Sequence, residues 1–146
     1  MAKAELPRRL LTCLLVMFPL MGTAVADDER KAVTLDPAER AVLLEQMRIL
    51  LEGLQQILRG LGDEDMNVVA QAARPLGVPL KEKIPAATMQ KMPEEFQRLA
   101  NSLHTDFQRI ALDAETMKDE RHAAGQLSAV MAKCLACHKA YQVKAD

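Results

Sequence analysis

Apolar residues recur every three or four positions along most of this 146-residue chain, which is the spacing of amphipathic helices. The first such stretch begins at Asp36 and Pro37, where an acidic cap, a proline at the first helical position and Glu39 in the first turn are typical of a helix start. It runs to about Arg59, and two glycines follow. Its apolar side comprises Leu43, Met47, Leu50, Leu54, Ile57 and Leu61. This stretch therefore predicts a helix that buries one side in a helical bundle.

Three further stretches have the same period. The second is short and is predicted to begin at Asp63, whereas the third and fourth are long. A connection with two prolines spans residues 78–92, and polar residues 27–34 are expected to form a loose lead before the first helix. The predicted bounds of the second, third and fourth helical stretches are about 63–77, 93–117 and 119–142. Since no stretch alternates as a strand does, the predicted fold class is all-α, an up-down-up-down four-helix bundle.

The first 26 residues have the composition of a cleavable signal peptide. Three basic residues precede an apolar run over residues 10–20, and Ala24-Val25-Ala26 forms the cleavage pattern before Asp27. The expected domains are a signal peptide over 1–26, which also removes Cys13, and a bundle over 27–146. Subtracting the signal's three basic residues and one acidic residue leaves 16 basic and 19 acidic residues, a net charge of −3. This charge argues against a nucleic-acid partner, and we expect a periplasmic protein without a membrane anchor after cleavage.

The remaining two cysteines lie in Cys134-Leu135-Ala136-Cys137-His138, the C-x-x-C-H signature of covalent haem attachment. Thiols three residues apart project from one side of a helix, so both can reach the vinyl groups along one haem edge. The adjacent imidazole can coordinate the iron. We predict that His138 points into the bundle, because it falls on an apolar line of the last helix. That line comprises Leu127, Met131, Cys134, His138 and Tyr141.

Other interpretations of the two cysteines stay open. A thioredoxin-like redox pair would require the motif at the start of a helix after a strand, and no strand pattern precedes it. A structural zinc site would need a further ligand, for which His104 and His122 are the obvious nitrogen donors. A five-residue motif also arises by chance. Haem attachment is the interpretation that agrees with both the export signal and the helical pattern.

The motif and Tyr141, on the last helix of an exported four-helix chain, resemble the cytochrome c′ family, and segments 47–55 and 72–77 also look familial. The resemblance covers the mature chain. It implies that one haem c is bound covalently by Cys134 and Cys137, and that His138 is the proximal iron ligand. The position after the tyrosine is often an arginine in that family and is Gln142 here, which departs from the pattern associated with gas binding.

The group on the distal side of the iron separates two functions. The resemblance to the methionine-ligated branch of the family, the depth of Met47 in the first helix and its apolar side favour Met47 as the distal ligand. His104 is a competitor at similar depth on the third helix, and an open distal face is the third alternative. A methionine ligand predicts a single-electron carrier, whereas an open face predicts a five-coordinate protein that binds nitric oxide or carbon monoxide.

The sequence contains no acid–base pair positioned for peroxide chemistry, so we do not expect an enzyme. Lys133, Lys139 and Lys144 lie near the motif and could steer a periplasmic redox protein with an acidic docking surface. The chain is expected to be a monomer or a homodimer.

Overall fold

The computed structural model describes residues 28–146, so the signal peptide predicted for residues 1–26 lies outside the described residues. The described chain is predominantly helical, in agreement with the predicted all-α class. In chain order its elements are β1 (Lys31–Leu35), α1 (Pro37–Gly62), α2 (Met66–Ala73), a 3-10 turn (Arg74–Leu76), α3 (Val78–Lys81), α4 (Ala86–Gln90), α5 (Glu94–Thr116), α6 (Glu120–Ala140) and β2 (Tyr141–Ala145).

The predicted start of α1 is confirmed, together with its cap. The Glu39 amide donates to the Asp36 carboxylate over 2.8 Å, and the Glu39 carboxylate accepts from the Asp36 amide over 3.2 Å. This reciprocal pair satisfies two amide groups that the first helical turn leaves without partners. The helix extends to Gly62, a few residues beyond the predicted end.

The second helix is shorter than predicted and has a different cap. It comprises eight residues, and the Asp65 carboxylate, not that of Asp63, accepts from the first amides of the helix. Asp63 instead closes α1, because its own amide donates to the Arg59 carbonyl. Glu64 adopts a left-handed φ of 54°, which reverses the chain between the two helices. The connection predicted over residues 78–92 holds two short helices, α3 and α4.

Two strands were missed by the sequence prediction. Residues 27–34 were expected to be loose and the last helix was expected to reach Gln142, but β1 and β2 pair in parallel, with Lys31 opposite Tyr141 and Leu35 opposite Ala145. In β1, Val33 and Leu35 are buried and alternate with exposed residues, which is the period of a strand. The pair joins the chain before α1 to the chain after α6 and closes one end of the molecule.

The helices pack in chain order, α1 on α2, α2 on α5, and α5 on α6, whereas α1 and α6 make few contacts. Leu76 lies against Gly53 and Val69 lies against Gly60, so the chain after α1 returns along it in the opposite direction. In the same way, His122 bonds to Asp113 near the turn between α5 and α6, and Lys133 bonds to Asp106 farther from that turn on both helices. Successive long segments are therefore antiparallel.

The buried apolar residues form two clusters. The larger lies among α1, α2, α5 and α6, and its centre is fully buried. The smaller lies under the two strands and is built on Val33, Leu35, Leu43, Met92 and Phe96. The members of the larger cluster that are 0% exposed are Ile57, Val69, Ala73, Phe107, Ile110 and Val130.

Candidate functional site

A cavity lies where α1 and α6 diverge, between the two apolar clusters. The centre of a water molecule can occupy about 80 Å³ of it, and about 700 Å³ is free of atoms when the solvent at its mouth is included. Its walls come from α1, α5, α6 and the α3–α4 connection, and they are mostly apolar. Among the residues that line it are Met47, His104, Cys134, Cys137 and His138. Four separate elements thus contribute to a single cavity around the C-x-x-C-H motif.

Both cysteines of the motif are free thiols on the wall of this cavity. Cys134 packs against the larger apolar cluster and Cys137 against the smaller one, so the pair spans the boundary between them. Burial raises the pKa of the Cys134 thiol, and burial together with its neighbour raises the pKa of the Cys137 thiol. The two side chains are therefore protonated, half-buried sulfur groups one helical turn apart.

His138 is exposed at the mouth of the cavity, which corrects the prediction that it points into the bundle. It also borders an adjacent groove lined by Arg30, Met47 and Cys137. Successive residues of a helix are rotated by about 100°, so the residue after Cys137 leaves the buried line. Met131 is likewise 45% exposed, off the line on which it was predicted. The buried or half-buried line of α6 comprises Ala123, Leu127, Val130, Cys134 and Cys137.

Met47 is half-buried on α1 and borders both the cavity and the adjacent groove. Cys137 and His138 border the same two spaces, so the structure brings Met47 together with the motif across the gap between α1 and α6. The neighbouring Gln46 is buried, and its side-chain amide donates to the Leu80 carbonyl over 2.7 Å. This bond fixes the position of α1 relative to α3, and the segment from α3 to α4 forms one wall of the cavity.

His104 is buried on the α5 wall, only 6% exposed. Its Nδ1 lies 2.6 Å from the Leu76 carbonyl oxygen, and since a carbonyl can only accept, Nδ1 carries the hydrogen. Burial lowers the pKa of the ring, and nearby Lys81 lowers it further. The imidazole is therefore neutral, with a lone pair on Nε2.

The adjacent groove contains Arg30, a residue that the sequence prediction missed. The Gln142 side-chain amide donates to the Arg30 carbonyl over 2.9 Å and to the Asp28 carbonyl over 3.3 Å. The Arg30 guanidinium in turn donates to the His138 carbonyl over 3.4 Å. The chain before β1 is thus fastened beside His138. No local sequence signal identifies this contact, because its partners are more than 100 residues apart.

The predicted lysine cluster is divided in the structure. Lys133 bonds to Asp106 and Ser102 on α5, so its charge is already paired. Lys139 and Lys144 are both exposed beside the end of α6. A steering role is therefore reduced to these two residues.

The donor groups that line the cavity include two thiols, two imidazoles and a thioether. Residues 28–146 contain no cluster of three or more histidine, cysteine or acidic side chains able to hold a metal ion. His122 is bonded to Asp113 over 3.1 Å and does not line the cavity. Two thiols on an apolar wall, an imidazole at its mouth and a thioether opposite are the groups that attach, ligate and shield an iron porphyrin.

Comparisons with protein-family models, with curated proteins and with solved structures gave no match to this chain. Within the described residues, no helix has both the length and the apolar character needed to cross a membrane.

Proposed function

We propose that this chain is a periplasmic c-type cytochrome that carries single electrons on one covalently attached haem c. The observation that supports this proposal most strongly is the cavity between α1 and α6, whose wall contains both thiols of the C-x-x-C-H motif. Neighbouring helices of a side-chain core normally close-pack, so such a gap fits a chain that is completed by an apolar group. With that group in place, the helices would form the up-down-up-down four-helix bundle expected from the sequence.

Each residue of the site has a separate role in this proposal. Cys134 and Cys137 hold the porphyrin through thioethers, and His138 ligates the iron on the proximal side. His138 is exposed at the mouth of a mostly apolar cavity. A planar group bound there would cover the imidazole and shield it from water. Met47 supplies sulfur on the distal side, while Leu50, Phe96 and Leu103 exclude water.

When bound, the haem supplies an iron that accepts and releases one electron without exchanging ligands. His138 and Met47 would hold the group from its two sides, so no ligand would need to be exchanged when an electron is transferred. A thioether favours the ferrous state more than a second imidazole does, so Met47 would raise the reduction potential. The partners of the protein would be periplasmic redox proteins, which would approach the end of α6, where Lys139 and Lys144 are exposed.

Mass spectrometry of protein exported by a host with haem-attachment machinery tests covalent binding. The mature chain is expected to carry the added mass of one iron porphyrin, and the double variant Cys134→Ala/Cys137→Ala is expected to lack it. Leu135→Ala is the matched control, because this exposed residue lies between the two cysteines and bears no attachment chemistry. A bare processed polypeptide from the unaltered sequence would refute the proposal.

Absorption spectroscopy tests the role of Met47. The ferric protein is expected to be low-spin with the weak far-red charge-transfer band typical of methionine-ligated haem, and Met47→Ala is expected to abolish that band. Met131→Ala, at an exposed methionine outside the cavity, is the control and should preserve it. A band that survives Met47→Ala refutes the assignment, and a high-spin spectrum of the unaltered protein would instead support the binding of nitric oxide or carbon monoxide.

A further inference from the structure

His104 is the one buried side chain in residues 28–146 that can titrate, and the role of its second ring nitrogen is unassigned. The Leu76 carbonyl occupies Nδ1, so only Nε2 remains for another partner. No described residue forms a hydrogen bond with Nε2. Among these residues the fully enclosed side-chain atoms without partners are Arg40 Nε and Gln126 Oε1, so His104 Nε2 keeps contact with open space. That space is the cavity, because His104 lines it.

This arrangement is the one that metal-bound histidines adopt. A ligating imidazole almost always donates its other ring N–H to a carbonyl or carboxylate, which fixes the tautomer and the orientation of the ring. The 2.6 Å contact with Leu76 supplies that bond from the 3-10 turn before α3. Burial of the ring keeps Nε2 free of a proton, and the same cavity contains both thiols.

We propose that His104 is a second iron-binding side chain of this cavity, able to take the position opposite His138 when Met47 does not hold it. The inference rests on the proposed function, since it presumes that an iron porphyrin occupies the cavity. It differs from a purely structural role, in which His104 would only fasten α5 to the 3-10 turn. In that structural role Nδ1 would matter and Nε2 would not.

His104→Asn separates these two roles. The asparagine side-chain N–H can replace Nδ1–H as donor to the Leu76 carbonyl, but it offers no nitrogen at the position of Nε2. His122→Asn is the matched control, because His122 is bonded to Asp113 and lies outside the cavity. Both substitutions are made in the Met47→Ala background.

Ferric absorption and electron paramagnetic resonance spectra of the haem-loaded proteins give the main test. Met47→Ala is expected to lose the methionine band yet remain low-spin, and Met47→Ala/His104→Asn is expected to become high-spin. Met47→Ala/His122→Asn should match Met47→Ala. A high-spin Met47→Ala protein, or a double variant that remains low-spin, overturns the proposal.

A second measurement does not require covalent attachment. Ferric haem is titrated into the chain carrying Cys134→Ala, Cys137→Ala and Met47→Ala, with and without His104→Asn. Loss of the ligand is expected to weaken binding by at least about tenfold, since even the outer partners of metal ligands contribute that much. Equal affinities overturn the role of His104. If the exported chain carries no covalent haem, the proposed function fails, while this titration still decides whether His104 binds iron.

Discussion

The part of the molecule around Phe107 and the part around Cys134 differ in what fills the space between helices. Around Phe107, side chains from α1, α2, α5 and α6 meet directly, and several are fully buried. Around Cys134, α1 and α6 separate and leave an apolar cavity, with the paired strands closing the end beyond it. The first part is close-packed, whereas the second surrounds a cavity with mostly apolar walls. This difference points to Cys134, Cys137 and their surroundings as the functional part of the chain.

Two phenylalanines on α5 offer a matched test of this comparison. Phe107 is 0% exposed within the packed part, so Phe107→Ala is expected to lower the free energy of unfolding by about 3–5 kcal/mol. The loss should be similar with and without haem, because every neighbour of this residue is protein. Phe96 packs in the smaller cluster and also lines the cavity, so Phe96→Ala in the haem-free chain should cost less than Phe107→Ala, since part of its side chain faces space that is already open.

Urea denaturation of both variants, in the haem-loaded chain and in Cys134→Ala/Cys137→Ala, measures these losses. If both substitutions lower the free energy of unfolding of the haem-free chain equally, the distinction between the close-packed part and the part around the cavity is contradicted. A Phe107→Ala loss that depends strongly on haem would contradict it as well.

Local signals were sufficient to locate the three long helices and insufficient for the short ones and for the site. The cap of α1 was predictable because Asp36 and Glu39 act within one turn. The strands were not, because β1 is only five residues long and its partner lies at the other end of the chain. The cavity could not be predicted either, since it arises from the divergence of α1 and α6 and not from any one segment. His138 shows a third limit, because one residue along a helix separates the half-buried Cys137 from the exposed His138.

In the packed part, α1 approaches the 3-10 turn closely at Gly53. A Cβ atom added at Gly53 would lie 2.4 Å from Leu76 Cδ1, and Leu76 is itself buried. Gly53→Ala is therefore expected to lower the free energy of unfolding by about 1–3 kcal/mol through overpacking. Gly125→Ala is the control, because nothing lies within 4 Å of its added Cβ. That substitution should stabilise α6 by about 0.5–1 kcal/mol, the usual gain in a helix interior. Thermal unfolding of both variants measures these changes. If Gly53→Ala is as stable as the unaltered protein, the packing of Leu76 against Gly53 is looser than the structure indicates.

The smallest expected effect concerns pH, and it arises at His104 on the wall between the two parts. Burial holds the pKa of this imidazole below the ordinary value of 6.5, so below that pH the unfolded chain binds a proton that the folded chain refuses. The free energy of unfolding should consequently fall as the pH decreases from about 6.5 toward the folded pKa, and this contribution should be absent above that range. One proton limits the slope to about 1.4 kcal/mol per pH unit, and access of solvent to the cavity reduces it further. Urea denaturation of the haem-free chain at about pH 7.5 and about pH 5, with and without His104→Asn, measures the difference. Asparagine does not titrate and keeps the bond to Leu76. If the free energy of unfolding depends on pH equally with and without His104→Asn, the His104 ring is hydrated in the folded chain and this wall of the cavity is exposed to solvent.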